Sequence, residues 1–157
     1  MIRKAVNKDL SRIIEITKSC AAFMISQKIF QWNEHYRNIE TFENDVKKEN
    51  LYVLELNQKI IGCIVISSFM DDFYSKVKWT TPNDKNMYLH RLAIDPDYQK
   101  KGYAKQLMNF SFDFAGKNNI VSIRLDTFSG NPYNNVFYAK LGFKKLGKIY
   151  FRKQSDK

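Results

Sequence analysis

Leu92-Ala93-Ile94-Asp95-Pro96-Asp97-Tyr98-Gln99-Lys100-Lys101-Gly102-Tyr103-Ala104 is the most informative stretch of this 157-residue chain. A strand should close at Ile94. Asp95-Pro96 ends it, because proline cannot donate to a ladder. A short basic loop follows, and a helix opens on small residues at Gly102 and Ala104. A helix N-terminus offers backbone N–H groups without intrahelical partners and the positive end of the helix dipole, a setting suited to phosphate. Gly102 and Ala104 would let an anion approach the backbone closely, and Lys100, Lys101 and Lys105 would add charge around it. The stretch is neither a P-loop nor a dinucleotide fingerprint. An ordinary strand–loop–helix whose glycine serves only the turn has the same outline.

On the N-terminal side, Leu10, Ile13, Ile14 and Thr17 recur at helical spacing after Asn7, a candidate cap. A polar-aromatic stretch from Gln31 to Arg37 leads to Thr41, which could cap a short helix containing Phe42 and Val46. Leu51–Leu56 and Ile60–Ser67 read as strands joined by a tight turn at Asn57-Gln58. Residues 70–86 are polar and include Pro82, as expected of a loop. Met87–Ile94 is the strand that leads into the basic loop; simple alternation would give His90 the same face as Tyr88 and Leu92. On the C-terminal side, Ala104, Leu107, Met108, Ser111 and Ala115 share one helical face, with Gly116 as the expected stop. Ile120–Asp126 is rich in β-branched residues. Asn131–Leu141 reads as a helix with Pro132 in its first turn and Gly142 after its end. Phe143–Phe151 would be a final strand. The pattern specifies an α/β layer structure. With no linker, repeat or low-complexity tract, a single domain over residues 1–157 is expected.

Composition removes several classes. The 23 aromatic residues argue against disorder. The longest apolar run, Ile60–Ile66, is far shorter than the ~18 residues of a membrane span, and no secretory signal is visible, so a cytoplasmic protein is expected. Two cysteines and two histidines without a Cys-x-x-Cys exclude zinc-finger spacing and a disulfide framework, so no metal is expected. Charge is uneven: residues 1–98 carry a net +1 and residues 99–157 a net +9 of the total +10. Solubility would account for this blandly; an anionic ligand or a nucleic acid would account for it functionally.

The segment Gln99-Lys100-Lys101-Gly102-Tyr103-Ala104 resembles the acetyl-CoA signature of the GNAT superfamily of N-acetyltransferases, Gln/Arg-x-x-Gly-x-Gly/Ala. Leu92-Ala93-Ile94-Asp95-Pro96 precedes it at the family's usual distance. Asn131-Pro132-Tyr133-Asn134-Asn135-Val136-Phe137-Tyr138-Ala139-Lys140-Leu141-Gly142-Phe143 is similar to that family's Asn-x-x-Ala-x-x-Phe-Tyr-x-x-x-Gly-Phe, departing from it at Asn134. The resemblance implies an α/β fold of the α+β type: a mixed, mostly antiparallel twisted sheet flanked by helices, with a splayed parallel strand pair at the cofactor site. It implies acetyl-CoA as co-substrate. Leu92, Ala93 and Ile94 would pair through their backbone with the pantetheine arm, and an N–H near Leu92 would polarise the thioester carbonyl. Gln99, Lys100, Lys101, Gly102, Tyr103, Ala104 and Lys105 would hold the pyrophosphate. Asn131, and Asn134 beside it, would contact the pantetheine arm, and Tyr138 would act as acid toward the departing sulfur.

The chemistry sets its own demands. An alkyl ammonium with a pKa near ~10.4 is nucleophilic in only about one molecule in a thousand at neutral pH, so a base or water chain is needed. Glu34, His90 and Asp126 are the candidates. Each has a structural alternative: a solvated helix-end carboxylate, a histidine packed under the sheet, and a turn cap. Trp32, Glu34 and Tyr36 could line an acceptor pocket, or the two aromatics could belong to the core. Direct attack needs no enzyme nucleophile, and Cys20 and Cys63 lie among apolar residues. The expected acceptor is a primary amine of a small molecule or peptide, and a homodimer is left open. The competing class is a non-enzymatic nucleic-acid module. Against it, the charge peaks at one phosphate-sized loop and no RNP-type aromatic motif occurs.

Overall fold

A computed structural model describes residues 1–29, 39–70, 77–82, 84–125 and 131–144. Its order is β1 (Ile2–Lys4), α1 (Leu10–Ser26), α2 (Ile39–Lys47), β2 (Leu51–Leu56), β3 (Lys59–Ser67), β4 (Asn86–Ile94), α3 (Tyr103–Lys117), β5 (Ser122–Leu125) and α4 (Pro132–Lys140). The five strands form one sheet in the order β1-β2-β3-β4-β5. Pairing is antiparallel from β1 to β4 and parallel between β4 and β5.

β2 and β3 are apolar along nearly their whole length because both faces of the sheet are covered. On one face Leu51, Val53, Cys63 and Val65 pack with Ile13, Ile16 and Cys20 of α1 and with Phe42 of α2. On the other, Tyr52, Leu54, Ile64 and Ile66 pack with Leu107, Met108 and Ala115 of α3. The β2–β3 turn is tight because Asn57 and Gln58 both take positive φ, 51° and 66°, as a two-residue hairpin turn requires.

Several boundaries differ from the sequence pattern. β1 was not anticipated; three residues with two charges carry no alternation to read, yet they pair in register with Leu54, Val53 and Tyr52. Asn7 does not cap α1 but lies in a single 3-10 turn, Asn7–Asp9. There the Asp9 carboxylate accepts from the Val6 N–H at 2.8 Å and from Arg3 at 2.8 Å. Thr41 lies inside α2, not at its start. Gly116 does not stop α3, which runs on to Lys117. Asn119 takes the left-handed position instead (φ 56°), and the Ile120 N–H closes onto Ala115 O at 3.0 Å, the 6→1 bond of a Schellman motif. β5 spans four residues; Asp126 and the expected strand beyond Lys144 lie outside the described residues.

β4 departs most from simple alternation. Cys63 pairs with Ala93 but Val65 pairs with His90, so Ile64 faces two residues, Arg91 and Leu92. This is a β-bulge, and Arg91 sits in it at φ 52°. The extra residue shifts the phase of the strand. Met87 and Leu89 face the α3 side before it, Leu92 and Ile94 face that side after it, and Ala93 turns to the α1 side. His90 and Leu92 therefore do not share a face.

Candidate active site

The described parallel register joins Asn86–Leu89 to Ser122–Leu125. β4 continues through His90–Ile94 toward the basic loop, and Asp126, which follows β5 in the chain, lies outside the described residues. Along the paired stretch the two strands are locked together by Arg124, which is buried (3% exposed). Its guanidinium lies 4.2 Å from the Trp79 ring centroid. It donates to Tyr88 Oη at 3.1 Å and to Thr81 O at 2.9 Å. An arginine on a four-residue strand gave no sign of this role in the sequence.

The turn that leaves β4 is braced at several points. Asp95 accepts from the Asp97 N–H at 3.0 Å and from Arg12 at 2.6 Å, while Arg12 Nε donates to Ile60 O at 2.9 Å. Burial pushes the Asp95 carboxyl upward, but the Asp97 N–H and the Arg12 guanidinium outweigh it and hold the group below its ordinary range. The Gln99 side chain donates to Ile94 O at 2.9 Å, and its own N–H to Pro96 O at 3.3 Å. Gln99 thus ties the loop back to the strand.

Beyond Gln99 the backbone opens. Lys100 (φ 63°) and Gly102 (φ 88°) are left-handed on either side of Lys101. A Cβ at Gly102 would meet nothing within 4 Å, so glycine is required there by conformation and not by space. The first bond of α3 runs from the Gln106 N–H to Gly102 O at 3.1 Å, and no side chain caps the helix. The N–H groups of Tyr103, Ala104 and Lys105 therefore precede the intrahelical ladder. Lys100, Lys101 and Lys105 are exposed around them, and Lys59 and Lys101 each place Nζ 5.6 Å from the Tyr98 ring centroid. Open donors, the helix dipole and clustered ammonium groups fit a diphosphate.

α4 carries the second motif. Asn131 is buried and caps the helix, its side-chain oxygen accepting from the Asn134 N–H at 3.2 Å; its Nδ2 reaches Met24 Sδ of α1 at 3.9 Å. Tyr138 is half-buried, with its ring centroid 5.2 Å from that of Phe137 and 5.9 Å from that of Phe143. His90 is half-buried and follows Leu89, the partner of Leu125 in β5. Trp32, Glu34 and Tyr36 lie outside the described residues. Cys20 and Cys63 are buried thiols. Burial pushes the Cys20 thiol up to about 12, and its Sγ donates to Ile94 O at 3.0 Å. That is the reverse of what a nucleophilic thiolate needs. No group of three or more potential metal ligands occurs among the described residues.

The acetyltransferase (GNAT) family profile matches residues 12–143, which include both motifs and every described part of this site. The chain belongs to that family. As a GNAT N-acetyltransferase it uses acetyl-CoA. An acetyltransferase structure from Staphylococcus aureus Mu50 is 32% identical to it, with a TM-score of 0.78 and 92% of each chain covered. An N-acetyltransferase from Thermoplasma acidophilum, solved in complex with coenzyme A, has the same fold at 24% identity, with a TM-score of 0.69 over 92% of this chain and 89% of that one. Human N-acetyltransferase 8 is 25% identical over 150 residues, 90% of this chain. The chain spans 62% of that relative's length. No helix among the described residues is long and apolar enough to cross a membrane.

Proposed function

We propose that this GNAT N-acetyltransferase transfers the acetyl group to a primary amine of a small molecule or peptide, by direct attack within a ternary complex. The observation that carries this reading is the uncapped first turn of α3, reached from the end of β4 through a loop that Gln99 ties back to Ile94. A ligand with an amide-bearing arm and a diphosphate fits strand and turn together. In this reading the N–H groups of Tyr103, Ala104 and Lys105 bind the diphosphate, with Lys100 and Lys101 adding charge. Leu92, Ala93 and Ile94 pair with the arm. Acetyl-CoA supplies an activated acyl group whose carbonyl gains negative charge during attack, and a backbone N–H near Leu92 stabilises that charge.

Tyr138 is assigned as the acid toward the departing sulfur. The departing thiolate, whose thiol has a pKa of ~8.5, is a modest base, so one hydroxyl suffices. His90 and Glu34 are the proposed bases, with Trp32, Glu34 and Tyr36 on the acceptor side. The absence of an activated thiol at Cys20 supports direct transfer over an acetyl-enzyme. The test is a panel of small amines and short peptides assayed for thiol release from acetyl-CoA, with product masses recorded. For a responsive acceptor, initial-rate lines at varied co-substrate should intersect, and the protein incubated with acetyl-CoA alone should keep its mass. Parallel lines and a 42-Da protein adduct (the mass an acetyl group adds) would instead establish a covalent intermediate.

A further inference from the structure

The β4 bulge is held both from α2 and from within its own sheet. Arg91, the left-handed residue at its centre, is half-buried and donates from Nε to one oxygen of Asp45 at 2.8 Å and from Nη2 to the other at 2.6 Å. Asp45 is on α2, buried to 6% exposure. A second tie comes from β3, where Cys63 Sγ approaches Arg91 O at 3.5 Å. A non-glycine residue in this conformation persists only where its surroundings over-determine it. A two-pronged arginine–carboxylate pair fixes both position and orientation. We propose that the Asp45–Arg91 pair is a positioning device for the transfer reaction: it holds the bulge open so that the backbone near Leu92 meets the thioester carbonyl. The pair also attaches that backbone to α2, the helix that follows the proposed acceptor segment containing Trp32, Glu34 and Tyr36. This inference rests on the carbonyl-stabilising role proposed for the backbone near Leu92.

The test separates backbone geometry from charge. Removing Asp45 (Asp45→Ala) is combined with Arg91→Gly in one variant and Arg91→Ala in another. Both lack the ion pair, but only glycine adopts φ 52° freely. The glycine combination should retain kcat within about threefold of the parent. The alanine combination should lose roughly 10- to 100-fold in kcat, with little change in acetyl-CoA affinity. Equal kcat in the two would overturn the proposal. Arg91→Lys, which keeps the charge and loses the fork, gives the same comparison if the alanine combination fails to fold. It should lose several-fold in kcat, and an unaltered kcat would count against the device. Infrared spectra of bound acetyl-CoA labelled with carbon-13 at the carbonyl give a readout besides turnover. The parent protein should lower the carbonyl stretching frequency relative to free acetyl-CoA, and the alanine combination (or Arg91→Lys) should restore part of it. No lowering in the parent protein removes the role near Leu92 and the proposal with it. Lowering that persists unchanged in the altered proteins removes the positioning role alone.

Discussion

A thiolate leaving group asks little of an acid, which sets the scale of what one side chain can contribute here. The half-buried ring of Tyr138 is set between Phe137 and Phe143. Tyr138→Phe preserves that packing and removes only the hydroxyl. It should lower kcat by roughly 10²-fold while leaving the acetyl-CoA dissociation constant nearly unchanged; steady-state kinetics with calorimetric binding will check both. Unaltered turnover would remove the acid role. Residues of this kind were legible because their spacing repeats a family pattern. Asp45 and Arg91 were not, since 46 positions separate them and neither belongs to a motif.

Elements built on continuous apolar periodicity were readable: α3 from Leu107, Met108, Ser111 and Ala115, and the β2–β3 hairpin from two apolar runs around Asn57-Gln58. Elements set by partners were not. β1 exists because β2 offers an edge, and the β4 bulge inserts a residue that leaves no trace in composition. The end of α3 shows the same limit, since Asn119 does what Gly116 was expected to do. Gly62 illustrates how tightly the site's strand is packed on its neighbour. A Cβ there would come within 2.5 Å of Ile94 Cδ1 and 2.9 Å of Ala93 O. The backbone oxygen cannot swing aside as a side chain can. Gly62→Ala should therefore destabilise the fold by about 1–3 kcal/mol, lowering the melting temperature by roughly 3–10 °C, and should disturb β4 at Ala93 and Ile94. Thermal denaturation measures the first effect; an unchanged melting temperature would show that the strands are less closely set.

At the scale of the molecule, Arg3–Glu55 and Arg12–Asp95 join distant parts of the chain, and Asp9 shares the first of these clusters. Asp9 is held below its ordinary 3.8, chiefly by hydrogen bonds from Arg3, and Arg3 also bonds Glu55 of β2. Asp95 is likewise lowered, with Arg12 as its cross-chain partner. A carboxyl lowered in the folded state contributes stability that is complete above its unfolded value and is lost as pH falls through the folded one. The melting temperature should be nearly level between about pH 5 and 7 and fall below about pH 4. Asp95→Asn should lower it at pH 7 and shrink that fall, whereas an equal fall in both proteins would assign acid sensitivity elsewhere. Lys100, Lys101 and Lys105 are exposed where α3 begins, and the whole functional reading depends on the backbone groups there meeting a diphosphate. The direct measurement follows the amide resonances of nitrogen-15-labelled protein during titration with coenzyme A. The largest saturable shifts should fall on Tyr103, Ala104 and Lys105, with further shifts along Leu92–Ile94. Saturable binding that leaves those amides unmoved would contradict the account.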